Sequence, residues 1–436
     1  MNVSFWDWFF WYIDTGGFSK IINLFWYFFY LELPRFMLLD VVVLVILKIK
    51  NVLGHKKYEI ARQRLFIEKP FISIIVPGKN EGRHIYKLTK ALREQTYKNF
   101  ELIVIDDGST DDTHTIGLSL LKSGLIDKFL RNDERGGKAS AANLGLRFSS
   151  GKYIVHLDAD TSFDRDAIER ILIPFYLDEK IAGIGGNIKV LNRKASLCAG
   201  IQSFEYLQTL TVGRMVTSFF GIYRIISGAF GAFKKDALMQ IGGWDIGPGL
   251  DGDITVKLRK IGYKVVFEHR AIALTNAPEK FRALTKQRLR WSKSMIRFRV
   301  RKHKDVFVPN QNFNLLNFIA FFDNIFFNLI LDFLWFYYII QIIIYNFEFL
   351  GFIIPLKFII YTIAIFAQYL VIMAVSERRK QEYQLAIYIP AMMLYAGYYM
   401  RIVRTIAYVQ ELFFFKSYKD PWNPKKTSDQ ALEHGL

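Results

Sequence analysis

Apolar regions of membrane length flank a polar middle section of the chain, and this arrangement most constrains the fold. Residues 21–47, 317–345 and 352–375 are rich in Ile, Leu, Val and Phe. At about 1.5 Å per residue, each region is long enough as a helix to cross a hydrocarbon core of ~30 Å. The chain is therefore predicted to be anchored in a membrane, with a separate globular domain between its apolar ends.

The N-terminal region is predicted to cross the membrane once. Residues 3–13 are rich in Trp and Phe but too short to span, which indicates an interfacial helix. Residues 21–47 form one predicted span, kinked at Pro34. The basic residues within 48–64 place the following domain on the cytoplasmic side.

The C-terminal region adds two predicted spans, residues 317–345 and 352–375. Residues 385–415 contain Pro390 and two arginines and have positive charge on both sides, which favours a re-entrant or interfacial pair. We predict three spans, with four as the alternative, and a multi-pass protein of the plasma (inner) membrane. Polar residues within the first of these spans either line a sugar channel or bond neighbouring helices: Asp323, Asn324, Asn328 and Asp332.

Charge and cysteine content exclude some classes of protein. The net charge is +18, which permits nucleic-acid binding. The basic residues lie beside apolar segments, however, so we predict contact with anionic lipid and no nucleic-acid partner. Cys198 is the single cysteine, which excludes an internal disulfide and a cysteine-rich zinc site.

The central region is predicted to be an α/β domain. Short β-rich runs at 71–76, 101–105, 153–157 and 181–184 alternate with helical patterns. This alternation is typical of a mainly parallel sheet with helices on both faces. Ligands of such sheets bind beyond the carboxyl ends of the strands.

Polar motifs follow three of these predicted strands. Asp158 and Asp160 end one strand, and paired carboxylates suit Mg²⁺ or Mn²⁺ bridging to a diphosphate. Residues 76–81, which include Pro77 and Glu81, and residues 106–113, which include Asp107, follow two others. They favour a nucleoside pocket, although helix caps in ordinary turns explain each motif equally well alone.

Two basic features complete the pattern. Lys138 follows two glycines at the start of a small-residue helix, a position that suits a diphosphate or a simple surface lysine. Residues 280–304 hold eleven Lys and Arg without an acid and read as an amphipathic interface segment. The predicted divisions are 1–50 for the N-terminal helices, 51–279 for the globular domain, 280–312 for the interface segment and 313–436 for the C-terminal spans and tail.

These motifs together resemble the family-two processive glycosyltransferases of membranes, which include cellulose, hyaluronan, chitin and poly-N-acetylglucosamine synthases. The resemblance rests on the order Val-Pro-x-x-Asn-Glu, Asp-Asp-Gly-Ser, Gly-Lys, Asp-x-Asp and Gln-x-x-Arg-Trp across residues 70–305. It implies a GT-A-like fold, a UDP-sugar donor, Mg²⁺ or Mn²⁺, and inversion at the anomeric carbon.

The resemblance also implies residue roles. The donor would be bound by Pro77, Glu81, Asp107, Lys138, Asp158 and Arg290, with Asp158 and Asp160 at the metal. The acceptor would contact Ser227, Gly228, Gln287 and Trp291. Asp251 matches the catalytic base, but Leu250 stands where the family usually has Glu, so Asp253 is the second candidate.

The predicted activity is processive polymerisation of a UDP-sugar into a β-linked exopolysaccharide and its export across the membrane. N-acetylglucosamine (GlcNAc) is favoured over glucose, from residues 227–233. The alternatives are transfer of one sugar to a lipid carrier and a non-catalytic nucleotide-sugar transporter or sensor. The expected partners are the donor, the growing polysaccharide, the lipid membrane and, potentially, accessory secretion subunits.

Overall fold

An eight-stranded sheet forms the centre of the globular region in a computed structural model that describes residues 4–247, 249–309 and 314–435. The strand order is β3-β2-β1-β4-β7-β6-β8-β5. The strands are β1 (Ile72–Gly78), β2 (Phe100–Asp107), β3 (Lys128–Asn132), β4 (Tyr153–Leu157), β5 (Ser162–Phe163), β6 (Ile181–Val190), β7 (Phe230–Lys234) and β8 (Lys264–Thr275).

The sheet is mixed, and its first half matches the prediction. β3, β2, β1 and β4 are parallel neighbours, as are β6 and β8. β7 runs antiparallel between β4 and β6, and β5 is antiparallel to β8. The predicted α/β fold is confirmed. All four predicted strands are present, and β7 begins within residues 227–233, which the sequence assigned to an acceptor loop.

Helices surround the sheet and fill the two ends of the chain. The α-helices are α1 (Phe5–Leu24), α2 (Leu39–Leu53), α3 (His55–Glu68), α4 (Gly82–Arg93), α5 (Thr113–Lys122), α6 (Lys138–Phe148), α7 (Ala167–Leu172), α8 (Pro174–Leu177), α9 (Leu197–Glu205), α10 (Gly213–Phe219), α11 (Lys235–Gln240), α12 (Leu250–Lys260), α13 (Phe281–Ile296), α14 (Leu315–Asn324), α15 (Leu331–Asn346), α16 (Leu350–Val375), α17 (Arg379–Glu382), α18 (Ile389–Leu394), α19 (Met400–Phe414) and α20 (Lys425–Glu433). Turns of π-helix cover Tyr27–Glu32, Pro34–Leu38, Tyr206–Val212, Arg297–Lys302, Ile325–Ile330 and Tyr395–Tyr399, and 3-10 turns cover Lys304–Phe307, Phe347–Phe349, Tyr383–Tyr388 and Lys416–Lys419.

Burial on both faces explains why the strand sequences are almost continuously apolar. Residues 72–77 of β1 and 101–107 of β2 are all buried, as is the whole of β4. Strands covered by helices on both sides lack the apolar–polar alternation of a half-exposed strand. The polar side chains that end β2 and follow β4 therefore mark the edge of the core.

The described chain divides into two compact units. One unit, the sheet unit, comprises residues 52–322 and 406–435 and contains the whole sheet. The other, the helical unit, comprises residues up to 51 and 323–405. Residues 406–435, which the predicted divisions group with the C-terminal spans, belong to the unit that contains the sheet.

Within the helical unit, buried ion pairs join distant helical segments. Asp323 lies 2.8 Å from Arg35, and Asp332 lies 2.7 Å from Arg404. Arg401 pairs with Glu32 and Asp332. Buried charges need such partners, so these acids serve helix–helix bonding, one of the two roles expected for polar residues in this span.

The described residues contain one helical stretch, Leu315–Val375, that is apolar enough by length and composition to cross a membrane. It includes both predicted C-terminal spans. The predicted span at 21–47 is helical, and π-helical turns lie on both sides of Leu33, next to Pro34.

Candidate active site

Hydrogen bonds join the loops that follow β1 and β2. The Asn80 amide donates to Ser109 Oγ at 2.8 Å, and the Thr110 amide donates to Asn80 Oδ1 at 2.9 Å. Asn80 has a left-handed φ of 59°, a conformation that Asn tolerates better than most residues. Glu81 follows directly, and its amide donates to Thr113 Oγ1 at 2.9 Å. Two motifs that are 30 residues apart in sequence thus form one edge of the site.

Asp107 holds the glycine turn that precedes Lys138. Its two carboxylate oxygens accept hydrogen bonds from the amides of Gly136 and Gly137, each at 2.8 Å. Asn132 also donates to it at 3.0 Å. Gly137 has a φ of 89°, which favours glycine at the start of α6. Asp107, predicted to contact the nucleoside, is 4% exposed and organises this turn.

Lys138, Asp158 and Asp251 meet around Gly228. The Lys138 Nζ atom lies 2.5 Å from Asp158 Oδ1. A Cβ atom on Gly228 would lie 2.6 Å from Asp251 Oδ1 and 2.9 Å from Lys138 Nζ. The glycine therefore leaves space that a side chain would take from both charged groups. The structure brings together four of the predicted site residues from four separate segments.

Burial and opposite charges shift the pKa values of Lys138, Asp158 and Asp251. Burial alone would raise the pKa of the Asp158 carboxyl, but the adjacent Lys138 ammonium outweighs burial and lowers it. Burial would lower the pKa of Lys138, but Asp158 and Asp251 raise it. Burial raises the pKa of Asp251 above its ordinary value, although Lys138 and the Gly228 amide oppose that shift. Asp251 thus has the character of a base whose proton affinity is increased by its surroundings.

The carboxylates of Glu81, Asp158 and Asp160 repel one another. Burial raises the pKa of Glu81 to about 7, and repulsion from Asp160 and Asp158 adds to the shift. Burial and then Asp158 also raise the pKa of Asp160. A cation would relieve this repulsion. Among the described residues no group of three or more His, Cys, Asp or Glu is placed to hold a metal ion by itself. The arrangement fits an ion that takes further oxygens from a diphosphate.

Asp253 faces away from this group and is fully engaged elsewhere. It is 2% exposed, and its oxygens lie 2.7 Å from His303 Nε2 and 2.9 Å from Lys302 Nζ. His303 Nδ1 lies 2.9 Å from Lys260 Nζ, and Lys302 also pairs with Asp245 at 2.6 Å. These contacts join α12 to the segment after α13 and leave Asp251 as the carboxylate beside Lys138.

The residues of the Gln-x-x-Arg-Trp motif lie on one helix, α13. The Gln287 Oε1 atom is buried and lacks a hydrogen-bond partner in the described part of the chain. The Trp291 ring is 39% exposed, and the Arg288 guanidinium lies 4.4 Å from its centroid. Burial lowers the pKa of Arg290, while Asp420, Asp158 and Asp251 raise it, which places its charge near the site.

Two other predicted residues have mainly backbone roles. Pro77 is buried within β1, where it pairs with Ile105 of β2. The Ser227 carbonyl accepts a hydrogen bond from the Phe230 amide at 3.1 Å and so begins the turn into β7.

A C-terminal segment that none of the sequence motifs indicated lies against the glycine turn. Arg135 donates hydrogen bonds to the carbonyls of Pro421 and Trp422. The Arg290 guanidinium lies 4.4 Å from the centroid of the Trp422 ring. A Cβ on Gly137 would lie 3.2 Å from Pro424 Cδ. The sequence feature that could have indicated this segment is Trp422, which lies between Pro421 and Pro424 in a basic tail.

Comparison with known proteins identifies the domain. The model of the family "Glycosyl transferase family 2" matches residues 73–242. The chain contains a family 2 glycosyl transferase domain. This match covers the β1, β2 and β4 motifs, and it confirms their resemblance to family-two glycosyltransferases.

The curated relatives point to one type of synthase. The chain is 34% identical over 223 residues to a poly-β-1,6-N-acetyl-D-glucosamine synthase of Staphylococcus epidermidis, covering 51% of this chain and 53% of the relative. It is 33% identical over the same length to the synthase of that name from Staphylococcus aureus, again covering 51% and 53%. The chain thus matches about half the length of these relatives.

A solved structure supports the fold over a longer range. A mannosyltransferase from Pyrobaculum calidifontis, in complex with GDP-Man and Mn²⁺, superposes with a TM-score of 0.54. The similarity covers 86% of this chain and 99% of that chain at 19% sequence identity. At that identity the likeness supports the GT-A-like fold alone.

Proposed function

We propose that this protein transfers N-acetylglucosamine from a UDP donor to the end of a growing β-linked polysaccharide, with inversion at the anomeric carbon. Glucose is the second candidate sugar. The single observation that supports this most directly is the meeting of Asp251, Lys138 and Asp158 around Gly228. This arrangement places the Asp251 carboxylate, as a base, and the Lys138 cation on two sides of one small space.

In this proposal Asp251 is the general base. An acceptor hydroxyl must lose its proton as it attacks the anomeric carbon from the face opposite UDP. The raised pKa of Asp251 suits proton removal at neutral pH. Lys138, at the N-terminus of α6, would stabilise the negative charge that develops on the leaving diphosphate.

Glu81, Asp158 and Arg290 line the donor side of the proposed site. Mg²⁺ or Mn²⁺, held by Asp158 and Asp160, would neutralise diphosphate charge. Asp107 acts through the glycine turn that it holds. We retain Pro77 as part of the β1 framework of the pocket.

The acceptor side is formed by α13 and the turn before β7. Trp291 offers a flat surface to the terminal sugar ring, and the unpartnered Gln287 oxygen can accept a hydrogen bond from a sugar hydroxyl or amide. Ser227 and Gly228 would border the attacking hydroxyl. This platform favours repeated addition to one polymer over transfer of a single sugar to a lipid carrier.

We further propose that the polymer is exported through the plasma membrane by the helices at the two ends of the chain, with the sheet unit in the cytoplasm. The apolar stretch Leu315–Val375 supports membrane insertion. Three spans, with four as the alternative, and accessory secretion subunits are part of this proposal.

The decisive experiment is a donor screen on the purified full chain. Each UDP-sugar is supplied with Mg²⁺ or Mn²⁺, UDP release is measured, and the product from labelled donor is sized. We expect UDP-GlcNAc to give the highest rate and a high-mass product. A single glycolipid without high-mass material would refute polymerisation, and UDP release unchanged in Asp251→Asn would refute the catalytic assignment.

A further inference from the structure

A buried histidine lies directly behind the proposed active site. His156 is the fourth residue of β4, two residues before Asp158, and is 1% exposed. Its neighbours in the strand are apolar and buried. A polar ring is costly in such a position unless it makes a specific hydrogen bond.

The His156 ring makes that bond to the backbone of the acceptor turn. Its Nδ1 atom lies 2.7 Å from the carbonyl oxygen of Gly228. Because a carbonyl can only accept, Nδ1 carries the proton. The His156 ring also lies near an aromatic side chain, because the centroids of the His156 and Trp244 rings are 5.4 Å apart. The tautomer is therefore fixed by the structure around it.

The His156 ring directs its bonded nitrogen at the backbone, and its other nitrogen is enclosed by protein. Its Nε2 atom is buried and, within the described residues, has no hydrogen-bond partner. The single polar interaction of this ring is thus directed at Gly228.

Gly228 lies against the proposed base. A Cβ at this residue would clash with Asp251 Oδ1 at 2.6 Å, and the Gly228 backbone lowers the pKa of the Asp251 carboxyl. Glycine has the freest backbone of any residue, so an unanchored Gly228 would hold the carboxylate poorly. The His156 bond fixes the carbonyl group of the residue against which the Asp251 carboxylate lies.

We propose that His156 is a positioning residue that orients Asp251 through the backbone of Gly228. The inference rests on the proposed function, because it assumes that Asp251 accepts the acceptor proton. A displacement of about 1 Å at a reacting group can lower a rate by about 10²-fold. The effect is expected in kcat, because the His156 bond reaches the acceptor turn, whereas the donor contacts Lys138 and Arg290 lie on other segments.

The test compares two replacements of one side chain in the full-length protein. His156→Phe keeps a flat ring and removes the donor, whereas His156→Asn places an amide N–H near the position of Nδ1. We expect His156→Phe to lower kcat for UDP release about 10–100-fold, with the donor KM changed less than about 3-fold. His156→Asn should recover kcat to within about 5-fold of the unmodified protein, since its amide can donate to the same carbonyl.

Two controls separate this inference from its assumptions. His269→Phe alters a partly buried histidine of β8 and should leave kcat unchanged. UDP binding measured by calorimetry reports whether each variant keeps its donor pocket. Equal losses in the Phe and Asn variants, or an unchanged kcat in His156→Phe, would overturn the positioning role. Failure of the proposed function is distinguishable, because the unmodified protein would then release no UDP from any donor.

Discussion

Replacing Asp251 or Asp253 by asparagine separates the proposed base from a structural carboxylate. Both residues lie in the first turn of α12, two positions apart. Asp251 faces Lys138 across Gly228, whereas Asp253 is bound by His303 and Lys302. The two substitutions are equal in chemistry and volume, so each is the control for the other.

The expected loss for Asp251→Asn is catalytic. A general base contributes about 10²–10⁴-fold to a rate, which corresponds to about 3–5 kcal/mol of transition-state stabilisation. The Asn side chain cannot take the proton of the acceptor hydroxyl. Lys138 keeps Asp158 as its partner at 2.5 Å, so the donor KM should change only a few-fold.

The expected loss for Asp253→Asn is one of stability. Removing one member of a buried ion pair costs about 3–5 kcal/mol when the other charge is left alone. Here Lys302 keeps Asp245 at 2.6 Å, and Asn can still accept a hydrogen bond from His303. We therefore expect a smaller cost of about 1–2 kcal/mol and a kcat within about 5-fold of the unmodified protein.

The assay measures UDP release at saturating acceptor, together with thermal unfolding of each variant in the same detergent. We expect a low kcat with an unchanged unfolding temperature for Asp251→Asn, and the opposite pattern for Asp253→Asn. The reverse result, with kcat lost only in Asp253→Asn, would show that the base has been misassigned and that the His303 contact does not hold in the active protein.

Four further results are expected. Because burial raises the pKa of Asp251, kcat should fall on acidification with a midpoint above about pH 4, and a midpoint below that value in a pH–rate profile would contradict the assignment. Gly228→Ala should lower kcat at least about 10-fold, since its Cβ would contact both charged groups; unchanged turnover would show that the turn can move. Trp291→Ala should shorten the sized product while donor KM stays within about 3-fold. Chelation should abolish UDP release, and added Mn²⁺ should restore it. The Asp160→Asn variant should require about 10-fold more Mn²⁺ for the same rate. Activity in excess chelator would refute the proposed requirement for a metal.

The parts of the site at strand ends could be predicted from the sequence. An apolar run followed by a carboxylate predicts a buried strand and a polar edge, and Asp107 and Asp158 occupy those positions. The exact role of Asp107 could not be predicted, because its partners Gly136 and Gly137 are almost 30 residues away in the chain. The sequence shows that Asp107 is polar, but the groups that it binds depend on how α6 packs.

Two other features depend on contacts that no local pattern encodes. β7 contains Gly231 and Ala232 and lacks a strong strand signal, and it is held in the sheet by β4 and β6 on its two sides. The Arg135 contact with Pro421 joins residues 286 positions apart. Both belong to the tertiary structure, where burial overrides the intrinsic preference of a short segment.

The choice between Asp251 and Asp253 has the same physical origin. Successive residues of an α-helix are rotated by about 100°, so residues two apart point to nearly opposite sides. The sequence places both carboxylates at the start of α12 but does not state which side of the helix meets Lys138. That choice is made by His303 and Lys302, which neutralise Asp253 on one side, and by Gly228, which admits Asp251 on the other. To choose the proposed base from two nearby carboxylates, it is therefore necessary to know which groups bind the other carboxylate.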